Sequence, residues 1–217
     1  MPRHVIRNRA GMRSQPPAAL LTLSIAGLIG YAFVARAVAT RRTTTEDGAV
    51  RDEIQAARAP GGAAVAEVVQ PIGKEWLHIP VSAVLSGVLL RSGAGKRAIV
   101  PLVASVTSEI ASRVFDRLPP NRKPPPGHPN QHKPSFPSGH ANETTAVAFT
   151  AAYVMAREEA VPAGPAFAVA TILAIASPAS RMYLDRHWTS DVVAGWCLGI
   201  SIAAGCAAIY ESTAPAA

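Results

Sequence analysis

Charge is what this sequence has least of. Charged residues fill 16% of its 217 positions, where a soluble domain carries about a quarter. With hydrophobic residues at 49%, that deficit argues against an ordinary soluble domain and points toward lipid. The length leaves room for one domain or one membrane bundle and little more. Cysteine is nearly absent: Cys197 and Cys206 are the two in the chain. They share one apolar, helix-like run, and nine residues at about 100° each put them on opposite faces with about 13 Å of rise between them. A disulfide is excluded by that geometry, so both read as packing residues that say nothing about compartment. Aromatics are also few, at 6%, and the basic residues do not interleave with them along one segment. The net charge of +7 therefore does not read as a nucleic-acid surface. The basic residues gather at the N-terminus (Arg3, Arg7, Arg9, Arg13), in short turns, and in one loop from Arg113 to Lys133. The first group reads as a membrane-orientation signal, the loop as an anion site. No internal repeat is visible.

What is present is a series of apolar runs. Residues 16–35 carry no charge, about the length that crosses a bilayer core. Residues 161–180 and 192–210 are comparable. Three weaker runs, 76–90, 98–115 (interrupted by Glu109) and 144–156, suit helices that face a polar interior. The reading is all-α: a polytopic transmembrane helical bundle of about six spans in the cell (inner) membrane, its chemistry at the extracytoplasmic helix ends. Along the chain this gives a basic cytoplasmic N-terminus (1–17), a first span (18–39), an extracytoplasmic segment (40–75), a core (76–210) and a tail (211–217). The first span also fits a cleavable signal ending at Ala37-Val38-Ala39; its long basic flank and spanning length favour retention. From an inside N-terminus, the turns with Arg91, Lys96, Arg97 and with Arg157 fall in the cytoplasm, as the positive-inside tendency asks. In the outer segment Val50, Ile54 and Ala57 share a helical face, which predicts a short interfacial helix.

Two constellations carry chemistry, and both fall on the outer side. Pro137-Ser138-Gly139-His140 runs directly into a helix-like stretch. Ser138 is a good N-cap, Gly139 lets an anion approach the backbone, and the first amides of the helix make a phosphate cradle. His140 stands on the first turn, where it can protonate a leaving oxygen. A capped helix start with an interfacial histidine is the plainer reading of that stretch alone. The second constellation is Ser180-Arg181, five residues, His187, three residues, Asp191. On a helix His187 and Asp191 share a face, so Asp191 can fix the tautomer and leave the other ring nitrogen free to attack. Arg181 offers a planar charged fork for phosphate oxygens. The plainer reading is an interface patch with an incidental His–Asp pair. A metal would need further ligands, and His128 and His132 lie in a Pro-rich loop without ligand spacing.

Together the two constellations resemble the type 2 phosphatidic acid phosphatase superfamily, whose site is shared by vanadium haloperoxidases and soluble bacterial acid phosphatases. The resemblance covers residues 76–210; the first 70 residues are not diagnostic. It implies a helical bundle and a site that works without metal or other cofactor. It further implies that His187 attacks phosphorus to form a phosphohistidine, that His140 protonates the leaving alkoxide, and that Ser138, Gly139 and Arg181 hold the phosphoryl oxygens. The implied partner is a lipid phosphate: phosphatidate, phosphatidylglycerol phosphate, or polyprenyl phosphate or diphosphate. A phosphotransferase keeps the same residues, and a decayed non-enzymatic homologue is the rival outside enzymes.

One departure stands out. The family's first motif, a lysine, six residues, then Arg-Pro, has no intact register in residues 112–124. Arg113 and Lys123 are the cations expected to replace it, Arg113 from the end of a span and Lys123 from its step into Pro124. Lys133, close in sequence to Ser138, ranks below them, with Arg117 and Arg122 as alternatives. Nothing in the sequence selects the lipid or the oligomeric state.

Overall fold

The computed structural model describes residues 12–213. Most of the basic N-terminus (Arg3, Arg7 and Arg9 included) and the last four residues of the tail lie outside the described residues. Eight helices follow one another: α1 (Pro17–Ala39), α2 (Thr44–Ala56), α3 (Gly62–Val69), α4 (Glu75–Arg91), α5 (Val100–Phe115), α6 (Gly139–Arg157), α7 (Ala163–Tyr183) and α8 (Thr189–Ser212). A 3₁₀ turn, Gln70–Gly73, joins α3 to α4, and another, Gly95–Ile99, leads into α5. No strand occurs among the described residues.

Four helical stretches are long and apolar enough to cross a membrane: Pro17–Ala39, Gly95–Phe115, Ala163–Tyr183 and Thr189–Ser212. The stretch ending in α5 joins the three strong runs because its preceding turn lengthens it, and one interior carboxylate, Glu109, does not outweigh its aliphatic residues. The two remaining long helices, α4 and α6, fall short. α4 has 17 residues with Pro80 inside it, and α6 buries Asn142, Glu143, Thr144, Thr145 and Thr150, the first four in succession around the helix. A polar helix of that kind is tolerated only when its neighbours surround it.

The packing is inside-out relative to a soluble protein. Ile25, Ile29 and Phe33 of α1, Val84 and Leu90 of α4, Ile110 of α5 and Ile172 of α7 are all exposed, forming an apolar exterior far beyond scattered surface residues. The interior is built of small residues, as close helix approach in lipid requires. A Cβ on Gly199 of α8 would stand 2.6 Å from Thr145 Cβ and 2.7 Å from the Asn142 carbonyl oxygen of α6. α1 lies along α8, where Ser24 donates to the Ser201 carbonyl at 2.8 Å.

The stretch around Val50 and Ile54 forms a helix, α2, but its inward face is polar. Asp47 is buried, with Val50, Arg51, Ile54 and Gln55 partly covered beside it, and the helix packs on α7 and α8. Ala57 lies beyond the helix end and is exposed. Electrostatic partners, rather than the apolar face, decide how this helix lies.

Candidate active site

The loop between α5 and α6, the turn between α7 and α8, and the segment leading into α4 meet at one end of the bundle. They enclose a cavity of about 320 Å³. Of the residues singled out by sequence, His140, His187, Arg181, Gly139 and Arg113 line it.

Ser138 caps α6, its Oγ accepting from the Ala141 N–H at 3.4 Å. Its own N–H donates to the carbonyl oxygen of Asp191 at 3.0 Å, which joins the two motifs through backbone. Ser138 is fully buried and does not line the cavity. Its side chain caps α6 and its backbone joins the two motifs.

His187 is not on a helix. Trp188 is the N-cap of α8, so His187 precedes the helix and Asp191 occupies its third position. Asp191 Oδ2 accepts from the Trp188 N–H at 2.9 Å, and the cap turns the imidazole off the helical face that the four-residue spacing suggests. The ring Nδ1 instead meets the Ser135 carbonyl oxygen at 2.9 Å, with Asp191 Oδ2 at 3.8 Å. A carbonyl only accepts, so Nδ1 carries the proton and Nε2 keeps its lone pair. The backbone, not Asp191, fixes the tautomer.

α2 braces both loops from behind. Asp47 accepts from the Ser190 N–H and Oγ, each at 2.8 Å, and pairs with Arg122 at 2.8 Å. Arg122 lies over the Trp188 ring and 3.5 Å from Asp191 Oδ1. At the tip of the α7–α8 turn, Asp185 sits in the left-handed region at φ 55°, which Asp tolerates better than most residues. Its carboxylate takes Arg51 at 2.8 Å and Gln55 and Arg58 at 3.2 Å.

Lys123 does not reach the cavity. Its carbonyl accepts from Trp188 Nε1 at 2.9 Å while its side chain is exposed, so the stretch is held by Trp188. Lys133, ranked below it, lines the cavity, as do Lys74 and Arg186, which sequence reasoning missed. Arg186 had a signal in directly preceding His187; Lys74 had none. Arg113 reaches the wall, yet its Nε bonds Glu109 at 2.5 Å and its side chain is mostly exposed.

Five permanent cations on the wall (Lys74, Arg113, Lys133, Arg181 and Arg186) narrowly outnumber its four carboxyl residues, Glu75, Glu109, Asp116 and Glu143. Three buried nitrogens on lining residues, His140 Nε2, Arg181 Nε and Arg186 Nε, have no hydrogen-bond partner among the described residues. Such atoms are costly unless an acceptor arrives. Asp116 opposes the pattern: burial pushes its carboxyl above the usual range, against the pull of Lys133 and His187. Burial, then the nearby Arg186, holds the His128 imidazole below its usual value. The side chains best arranged to share a cation are His78, Glu109 and Glu143, with ligand atoms within 4.8 Å of one another. Each already has a protein partner: His78 takes Ser105 at 2.7 Å and Glu143 at 3.1 Å, and Glu109 takes Arg113.

The family model described as PAP2 superfamily matches residues 97–213, which contain both motifs. An undecaprenyl-diphosphatase from Sulfolobus acidocaldarius is 31% identical over 131 residues, 58% of this chain. The matched part spans 60% of that relative's length. Among solved structures, a transmembrane PAP2 type phosphatidylglycerolphosphate phosphatase from Bacillus subtilis matches with a TM-score of 0.71 at 20% identity, covering 83% of this chain and 92% of that one. At that identity the likeness is one of fold.

Proposed function

The chain belongs to the PAP2 superfamily, and from that premise we propose that it is an integral-membrane lipid phosphatase acting through a phosphohistidine. Its substrate class is a lipid phosphomonoester or diphosphate, among them phosphatidate, phosphatidylglycerol phosphate and polyprenyl diphosphate. The observation that carries the reading is the trio of unpartnered buried nitrogens on His140, Arg181 and Arg186 around one cavity. Phosphoryl transfer asks chiefly for positioning and for donors around three oxygens.

In this reading the Nε2 lone pair of His187 attacks phosphorus and the phosphorus–oxygen bond to the lipid breaks. The leaving oxygen takes a proton from His140. Water then attacks the phosphohistidine, giving a proton back to His140 and releasing phosphate from His187. Arg181, Arg186 and the Gly139 amide face the phosphoryl oxygens, and Asp191 stabilises the cationic ring of the intermediate.

The chain crosses the membrane six times, through α1, α4, α5, α6, α7 and α8, with the cavity on the extracytoplasmic side. Supporting this, Arg97 and Arg157 lie at the opposite end, paired with Glu158 at 3.4 Å and Glu211 at 2.6 Å. The close packing of α1 on α8 supports a retained first span.

Purified protein given phosphatidate, phosphatidylglycerol phosphate, and polyprenyl mono- and diphosphate, with chelator present, should release phosphate from at least one. His187→Ala should release none. Silence of the wild-type protein toward the whole panel would refute the proposal, and activity lost to chelator and restored by a divalent cation would move the chemistry to His78, Glu109 and Glu143.

A further inference from the structure

The five cations of the cavity wall are not equivalent. Arg113 is tied to Glu109 and turned outward. Arg186 has Glu67 at 3.8 Å. Lys133 is exposed on the loop before α6. Arg181 is held by a neutral group, the Gln70 side-chain oxygen accepting from Nη1, so its charge is not cancelled by its anchor. Lys74 is half-buried on the wall, at the extended N-cap of α4. Among the described residues, no carboxylate oxygen lies within 4.0 Å of its ammonium; the ion pairs on this side of the site go to Arg113, Arg122 and Arg186. Even Glu75, next in the chain and also lining the cavity, leaves it unpaired.

The segment that carries Lys74 is seated with little freedom. A Cβ on Gly73 would come within 2.9 Å of His140 Cδ2 and 3.0 Å of His140 Cα, so the 3₁₀ turn lies directly against the first turn of α6. Gln70, three residues earlier, reaches Arg181 across the same turn. This segment lies before residue 97, outside the stretch matched to the family.

We propose that Lys74 contacts the phosphoryl group of the substrate, and that Gln70 is a positioning residue that aims the Arg181 fork at the same oxygens. Gly73 and Lys74, at the end of the segment that begins at Gly62, thereby form a third wall of the site, supplied from outside the two motifs. A point-charge ammonium with no competing acid meets an anion at lower cost than a cation that must first leave its partner. Gln70 suits its task because it fixes one edge of the guanidinium without lowering its charge.

This rests on the phosphatase reading, and the test separates the two. The full chain in detergent is compared as wild type, Lys74→Ala, Lys74→Gln, Lys74→Arg, Gln70→Ala and, at the far end of the bundle, Lys96→Ala. Orthovanadate affinity is read by thermal shift, and turnover is followed with lipid and aryl phosphates. Lys74→Ala and Lys74→Gln should bind vanadate about 10-fold more weakly and turn over about 10-fold to 100-fold more slowly, with anion-free melting unchanged; Lys74→Arg should recover most of both. Gln70→Ala should lower kcat with KM nearly unchanged, and Lys96→Ala should match wild type. Wild-type vanadate affinity and kcat in either Lys74→Ala or Lys74→Gln would overturn the role of Lys74; a wild-type kcat in Gln70→Ala would overturn that of Gln70. If no substrate is turned over by the wild type, the phosphatase reading falls, while vanadate binding by the Lys74 variants still decides whether Lys74 holds such an anion.

Discussion

The ring Nδ1 of His187 is 2.9 Å from the carbonyl oxygen of Ser135, while the nearest carboxylate oxygen of Asp191 stands 3.8 Å away. A main-chain acceptor therefore sets the tautomer, and Asp191 contributes charge at a distance. At 3.8 Å an effective dielectric of about 20 gives roughly 4 kcal/mol with a cationic ring, present only when phosphorus is being attacked or is bound. Asp191→Asn should slow turnover by about 10²-fold to 10³-fold, less than His187→Ala, while the amide oxygen keeps the helix cap and the stability change stays below about 1 kcal/mol. Equal losses in the two variants, measured as kcat on one lipid substrate, would return the tautomer to Asp191.

The two histidines should separate with the leaving group. An aryl phosphate leaves without a proton, so His140→Ala should recover much of its activity on that substrate. His187→Ala lacks the nucleophile and should not recover. Comparing the ratio of aryl-phosphate to lipid-phosphate turnover in both variants checks the assignment, and equal recovery contradicts it.

Asp47 lies far from the cavity in sequence but holds the start of α8. Asp47→Ala removes acceptors from the Ser190 N–H and Oγ and takes from Arg122 its closest carboxylate, leaving it Asp191 at 3.5 Å and the Ser190 hydroxyl. Breaking one side of a buried pair costs about 3 kcal/mol or more, which should lower Tm in detergent by several degrees and reduce turnover together with it. Unchanged melting would mean that α2 is not a brace.

Topology follows from charge and is checked by labelling. Single cysteines at Ser92 and Asn130, in a background with Cys197 and Cys206 replaced by Ala, report opposite faces. A membrane-impermeant reagent applied to intact cells should label position 130 and spare position 92. The reverse pattern would place the cavity in the cytoplasm.

That His140, His187 and Arg181 line one cavity was legible because each belongs to a short local spacing, and local spacing survives in sequence. What spacing could not convey was the cap. Asp191 four residues after His187 looks like a shared helical face until Trp188 is seen to begin the helix. The long apolar helices were legible for the same reason, except that Glu109 partly masked α5. Residues 40–75 stayed opaque since their order comes from partners far along the chain: Asp47 with Ser190, Arg51 with Asp185, Gln70 with Arg181. No periodicity records a contact over more than a hundred residues. The misplacement of Lys123 has the same origin, for the path of a Pro-rich loop is set by what it packs on.

The hydrogen bond from the Ser138 amide to the Asp191 carbonyl has a mechanical consequence. It couples the start of α6 to the start of α8, so His140 and His187 travel together when the bundle breathes. Room for a wide headgroup then cannot come from parting those two helices. It has to come from the side where Gly73 rests on His140, which makes one jaw of the site fixed and the other adjustable. Two chains of this kind with identical motifs can therefore accept headgroups of different width, according to how firmly residues 62–74 are held down.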